Sequence, residues 1–153
     1  MGAPNRGRMR VVLIVFFLGL LSQVSGFLTF LTPKVGVYLI NELGPGKKLT
    51  LHCRSKDKDL GWHQISFLEM YGWHFRINLW RTTLFWCNFS WYNAGIRYDG
   101  SFKIYDAARD EGRCAVLCDW KVRPTGLYAY TNEIGTYERL YRWPVPDKTV
   151  SRK

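Results

Sequence analysis

Period-two alternation, broken every few residues by glycine, proline or asparagine, is the feature that most narrows what this chain can become. Between Thr83 and Trp91, residues Phe85, Cys87, Phe89 and Trp91 fall on one side, and Trp86, Asn88 and Ser90 on the other. An extended strand turns successive side chains to opposite faces, so such a segment reads as a half-buried strand. Further strand-like segments run from Val35 to Ile40, Leu49 to Cys53, Trp62 to Ile65, Tyr71 to Arg76, Phe102 to Tyr105, Cys118 to Arg123 and Leu127 to Tyr130. Asn93-Ala94-Gly95, Asp110-Glu111-Gly112 and Pro124-Thr125-Gly126 supply turn chemistry between them. Short strands at this spacing, with no clear amphipathic helix, predict an all-β fold, a small antiparallel β-sandwich of about seven to nine strands. The first two segments, joined across Asn41 to Gly46, read as a hairpin.

The N-terminus carries a different pattern. Arg6, Arg8 and Arg10 precede an apolar run from Val11 to Leu21, and Ser22-Gln23-Val24-Ser25-Gly26 follows. That is the order of a secretory signal, with cleavage expected after Gly26. The run is about half the ~20 apolar residues a membrane-spanning helix needs, so no stable membrane insertion is expected. The expected organisation is a signal peptide over 1–26, one sandwich domain over 27–130 and a partly disordered extension over 131–153. Removing the segment takes three of 22 basic residues and no acidic one, lowering the net charge from +10 to +7. Such a charge draws a small extracellular protein towards acidic surfaces without choosing among wall polymer, membrane or nucleic acid.

In an oxidising compartment the four cysteines, Cys53, Cys87, Cys114 and Cys118, read as two disulfides. Zinc is the competing reading, but Cys114 and Cys118 have no matching second ligand pair. Three pairings are possible. A bridge from Cys114 to Cys118 closes the shortest loop and constrains the unfolded chain least, which favours Cys53 with Cys118 and Cys87 with Cys114. A core-facing Cys87 takes Phe85 and Phe89 inward with it and turns Asn88 outward. Asn88-Phe89-Ser90 is the one N-glycosylation sequon in the chain, so Asn88 is an expected glycan site. Of the seven tryptophans, Trp62, Trp73, Trp80, Trp91 and Trp120 read as core, while the alternation turns Trp86 outward. Exposed indoles would invite sugar stacking, but nothing singles out a lectin site.

No enzyme constellation assembles from the sequence. His52, His63 and His74 lie in separate strand-like segments, which disfavours a secreted nuclease using paired imidazoles. The carboxylate pairs Asp57 with Asp59 and Asp106 with Asp110 read as solvated charge rather than glycosidase acid and base. Phosphate-loop, nucleophile-elbow and zinc-helix motifs are missing, and neither a catalytic residue nor a cofactor is expected. A basic defence protein acting on membranes or wall polymers is the alternative, although Lys and Arg are scattered rather than gathered on one face.

One resemblance is specific. Val35-Gly36-Val37-Tyr38-Leu39-Ile40-Asn41-Glu42-Leu43-Gly44-Pro45-Gly46 and Leu49-Thr50-Leu51-His52-Cys53-Arg54-Ser55-Lys56-Asp57-Lys58-Asp59-Leu60-Gly61 closely resemble the opening of the plant self-incompatibility protein family. These are the S-protein homologues, related to the stigmatic S-determinant of field poppy. The likeness continues through Trp80-Arg81-Thr82-Thr83-Leu84-Phe85-Trp86-Cys87, Phe102-Lys103-Ile104-Tyr105-Asp106, Arg113-Cys114 and Cys118-Asp119-Trp120-Lys121-Val122. It covers about Val35 to Tyr130. Relatives tend to have Pro before the equivalent of Asn78 and Gly after that of Trp80, where this chain has Ile77 and Arg81.

The resemblance implies a small secreted β-sandwich with two disulfides, acting as a ligand. In poppy such a protein is a pistil ligand recognised by a pollen-surface protein. The partner expected here is therefore a cell-surface receptor, with no nucleic acid, and the protein a monomer. Recognition is expected in two exposed loops. One is Arg54 to Asp59, with Lys56, Asp57, Lys58 and Asp59 alternating in charge; the other is Arg109 to Arg113, where Asp110 and Glu111 crowd a turn.

Overall fold

The computed structural model describes residues 10–19 and 32–145. Residues 10–19 form a helix (α1), and no helix among the described residues is long and apolar enough to cross a membrane. The expected cleavage point after Gly26 lies outside the described residues.

Nine strands follow: β1 (Lys34–Asn41), β2 (Leu49–Arg54), β3 (Asp59–Ile65), β4 (Met70–Arg76), β5 (Leu84–Asn93), β6 (Ile96–Asp106), β7 (Leu117–Arg123), β8 (Gly126–Thr131) and β9 (Thr136–Tyr141). They build two sheets, one ordered β4-β1-β7-β8-β9 and the other β3-β2-β5-β6. Every neighbouring pair is antiparallel except β1 with β7. The alternation in β5 holds to the residue: Phe85, Cys87, Phe89 and Trp91 are buried, and Trp86, Asn88 and Ser90 face outward. They meet Val35, Val37, Leu39, Trp73, Trp120 and Leu127 from the other sheet, all buried. Burial of this kind contributes about 1.5–3 kcal/mol per large side chain, and it is the main term holding the sheets together.

Four expectations change, three of them in the course of the chain and one in its crosslinks. First, β1 and β2 are not a hairpin, because β1 pairs with β4 and β7 while β2 pairs with β3 and β5. The segment between them crosses from one sheet to the other. Asn41 makes the crossing possible: fully buried, its amide nitrogen donates to the carbonyls of Lys47 and Ile65, each at 3.0 Å, and its oxygen accepts from Leu43 N at 3.0 Å. A buried amide is tolerated only when its polar atoms are satisfied in this way.

Second, a helix (α2, Ala107–Cys114) stands where a turn was expected. Asp106 caps it, its carboxylate accepting from Ala108 N. Third, the fold does not stop at residue 130. Strand β9 pairs with β8; Tyr141 stacks on Phe102 and Trp120; and the Trp143 indole donates to the Arg123 carbonyl at 2.8 Å while packing on Trp91. Gly126 permits this closure, since a Cβ there would collide with the Tyr141 carbonyl oxygen. The remainder of the expected extension, 146–153, lies outside the described residues.

The disulfides pair Cys53 with Cys87 and Cys114 with Cys118, which replaces the expected pairing. Cys53 and Cys87 are register partners on adjacent strands of one sheet, with Cα atoms 4.0 Å apart and both side chains inward. Cys114 ends α2, and the left-handed residue Ala115 (φ 51°) turns the chain so that Cys118 comes back beside it. Loop length governs how much a bridge constrains the unfolded chain, but folded geometry decides which sulfurs meet. On the chain-entropy relation the 34-residue and four-residue separations are worth about 4 and about 2 kcal/mol. Urea unfolding should therefore show a larger loss for the Cys53→Ser/Cys87→Ser variant than for Cys114→Ser/Cys118→Ser, and non-reducing peptide maps should recover a 114–118 bridge.

Glu42 ties the end of β1 to β7 through Lys121 and Arg123, each at 2.7 Å. Burial alone would raise its pKa, but the two cations outweigh this and hold the carboxyl below its ordinary value of 4.5. A depressed folded pKa means the stabilisation is complete above the ordinary value and is lost as pH falls through the folded one. Melting from pH 6 downwards should thus bring wild type and Glu42→Gln together in acid.

Candidate recognition surface

The register brings several connections to one end of the sandwich. Arg54, the last residue of β2, lies opposite Trp86 near the start of β5, and Leu84 lies opposite Asp106, the last residue of β6. The β2–β3 turn, the 77–83 connection into β5 and α2 therefore share that end. Ala107 N donates to the Thr83 carbonyl at 3.0 Å, Arg81 pairs with Glu111 at 2.8 Å, and Asn132 N donates to the Arg113 carbonyl at 2.9 Å. The last bond adds the β8–β9 turn to the same end.

The two expected loops do lie there, but they differ in kind. The segment Arg54 to Asp59 is a tight hairpin rather than a loose excursion. Ser55 N donates to the Lys58 carbonyl, and Lys58 N donates to the Ser55 hydroxyl. Lys56, Asp57 and Lys58 are exposed at its tip. Asp59 is committed locally, accepting from Gly61 N at 2.8 Å and meeting His52 Nε2 at 2.6 Å. Those two bonds, the backbone one first, lower its pKa. Arg54 lies over the Trp86 ring, 5.4 Å from its centroid.

Arg109 to Arg113 is no loop at all. It is part of α2, and the Asp110 side chain has no solvent exposure. One Asp110 oxygen accepts from Arg109 Nε and Arg113 Nε at 2.8 Å; the other accepts from Arg109 Nη2 at 2.7 Å and Asp106 N at 2.8 Å. Arg109 also donates to the Tyr141 hydroxyl, Arg113 donates to the Tyr130 carbonyl, and both guanidiniums lie over Trp120. Burial first, then Glu111 and Asp110, push the Tyr105 phenol pKa up, so it stays protonated. Glycine, charge and apparent polarity suggested a solvated turn. The overlooked signal was the i,i+3 spacing of Asp110 and Arg113 after a capping Asp106.

Trp80 is the residue that sequence reasoning placed wrongly. It was assigned to the core and is instead 84% exposed, with Leu79 beside it also exposed. The loop presenting it is locked by Asn78: its oxygen accepts from Thr82 N at 2.8 Å, its amide donates to the Thr82 hydroxyl at 2.9 Å, and its backbone N donates to the Thr83 hydroxyl at 2.8 Å. Arg81 takes a left-handed conformation (φ 53°) at the position where the resemblance puts glycine, and its ion pair with Glu111 offsets part of that strain. Val116 and Ile134, from the neighbouring connections, are exposed as well. Trp62 is the second misplaced indole, 68% exposed on the outer face of the four-stranded sheet and stacked on His52. Trp73, Trp91 and Trp120 are buried as expected.

The histidines stay apart. His52 lies on that outer face, His63 Nε2 donates to the Leu60 carbonyl at 2.8 Å while its ring stacks on Tyr71, and His74 bonds the Tyr38 hydroxyl on the five-stranded sheet. Among the described residues no group of three or more His, Cys, Asp or Glu is placed to hold a metal.

The family model for plant self-incompatibility protein S1 matches residues 36–143. S-protein homolog 5 of Arabidopsis thaliana is 40% identical over 122 residues, 78% of this chain and 88% of that protein. Self-incompatibility protein S1 of Papaver rhoeas is 36% identical over 124 residues, 80% of this chain and 82% of that protein. A solved self-incompatibility protein homologue, from a family described as small, highly stable, secreted plant proteins, superposes with a TM-score of 0.57. It is 18% identical and covers 76% of this chain and 99% of the solved chain, which supports the fold.

The two expected loops should respond oppositely to substitution. Asp110→Ala leaves two guanidiniums without their shared carboxylate and should cost about 3–5 kcal/mol in chemical denaturation. Replacing Lys56, Asp57 and Lys58 by Ser should stay within about 0.5 kcal/mol of wild type.

Proposed function

This chain belongs to the plant self-incompatibility protein S1 family, and on that premise we propose that it is an extracellular ligand for a cell-surface receptor protein, acting as a monomer. The observation that carries the reading is Trp80. A large indole held almost wholly in solvent by a loop with three hydrogen bonds to one asparagine contributes nothing to the core. Tryptophan is enriched among the residues that anchor protein interfaces, because its area is large and little side-chain entropy remains to be lost. The charged tip at Lys56, Asp57 and Lys58 adds an electrostatic rim that selects among partners. Family membership supports the extracellular setting, and cleavage after Gly26 would deliver the mature protein there.

Labelled protein applied to protoplasts should bind saturably, at sites destroyed by surface proteolysis and retained in high salt. Trp80→Ala should weaken that binding about 30-fold or more, the ~2 kcal/mol of a hot spot, while leaving thermal unfolding unchanged. Binding that vanishes in moderate salt and is competed by polyuronate would support the wall-polymer reading instead, and RNA cleavage by purified protein would support the nuclease reading.

A further inference from the structure

The outer face of the four-stranded sheet holds an arrangement that receptor recognition does not use. At its centre is Asn88 on β5, flanked along the strand by Trp86 and Ser90, and across it by His52 on β2 and Ser101 on β6. The Asn88 amide hydrogen-bonds to no described residue, and it is not sealed in the interior. Phe89, between the two polar sequon residues, is buried in the core. The sequon thus presents its acceptor and its hydroxyl on one side of the strand and its anchor on the other.

Around that free amide the face is aromatic on one side and hydroxylic on the other. Trp62 lies across from His52 in register, stacked on it with ring centroids 4.7 Å apart, so the opposite indole face is open. Trp86 lies on the same face one alternation before Asn88, half-buried and with the Arg54 guanidinium over one side of its ring. Past Ser90 the surface sinks into a cleft of about 220 Å³ lined in part by Thr50, Gln64, Ser90 and Tyr92. Open aromatic surface of this kind usually marks an interaction site. Here the sequon places a carbohydrate attachment point in the middle of it.

We propose that Asn88 carries an N-linked glycan whose first sugars lie back on this face, over Trp86 and Trp62. The transfer forms a bond between Asn88 Nδ2 and C1 of the first N-acetylglucosamine. It breaks that carbon's bond to the phosphate oxygen of a lipid pyrophosphate donor, and the lipid pyrophosphate and the amide proton depart. Cys87 and Phe89 point to the opposite side, so the Cys53–Cys87 bond and the core close with the glycan in place. The C–H faces of the sugar rings meet the indoles, and the hydroxyls of Ser90 and Ser101 and the Gln64 amide meet the polar edges. One sheet face is then covered by the protein's own carbohydrate.

The test uses protein secreted from plant cells, weighed intact before and after a peptide-N-glycosidase that tolerates core fucose. One glycan should be lost from wild type and none from Asn88→Gln or Ser90→Ala. The glycosylated form should melt about 3 °C higher than its enzymatically deglycosylated form, and acrylamide should quench its tryptophan fluorescence less. Both differences should shrink in Trp62→Ala and Trp86→Ala. An unchanged mass would overturn the proposal. So would a glycan whose removal leaves melting and quenching as they were, because such a glycan projects into solvent. Deglycosylating folded wild type keeps the comparison valid if an aglycosyl variant is not secreted.

Discussion

A single buried carboxylate organises the end of the molecule on which recognition is proposed to fall. Asp110 has no solvent exposure, and it is tolerated there because two guanidiniums and a backbone amide supply four hydrogen bonds to its oxygens. The arginines then reach outward to structure of their own. Arg109 contacts Tyr141 of β9, Arg113 the Tyr130 carbonyl of β8, and both cover Trp120 of β7. Helix and sheet are thereby fixed to each other by charge-assisted bonds, which are shorter and stronger than neutral ones. Next to Asp110, Glu111 holds Arg81 and with it the Trp80 loop.

Rigidity at that end has a consequence for binding. A ligand whose contact residues are already ordered loses less conformational entropy when it docks. The Asn78 clamp, the Arg81–Glu111 pair and the bonds between Ser55 and Lys58 each remove freedom before any partner arrives. At the opposite end, Asn41 does the equivalent work by satisfying the backbone where the chain changes sheets. The core between these two polar knots is apolar and aromatic, and the Trp73, Trp91 and Trp120 indole nitrogens and the Tyr105 hydroxyl are buried in it without a hydrogen-bond partner among the described residues.

How much of this could be read from the sequence depended on whether the signal was local. The inward and outward sides of β5 follow from alternation alone, since pleating imposes a period of two on any strand. The crossing at Asn41 was misread because turn residues show that the chain reverses without showing which sheet it enters. The disulfides were misread because contact in the folded state is not encoded in spacing. Helix α2 was missed because its apolar face is short, with Ala107 and Cys114 buried and Asp110 between them neutralised by neighbours that looked solvated. Trp80 and Trp62 were misassigned because composition makes tryptophan a core residue, while Asn78 and His52 instead hold these two outside.

The one parallel pairing also joins strands far apart in sequence. The four-stranded sheet is drawn from a continuous stretch, β2, β3, β5 and β6, interrupted only by β4, and its disulfide lies within that stretch. In the five-stranded sheet β1 has β4 as a partner close in sequence, but Gly36 must wait for Leu117 of β7, and β8 for β9, before the inner strands are paired on both edges. Closing a long loop costs entropy before any contact repays it. As a hypothesis for the emerging chain, the four-stranded sheet and its bridge form first, and β1 stays unpaired with β7 until the last third has been made. Pulse-labelled hydrogen exchange during refolding would reject that order if β1 and β7 amides were protected before those of β2 and β5. On this order, the chain up to Asp106 spends its early life with the inner face of the four-stranded sheet not yet covered by the completed opposite sheet.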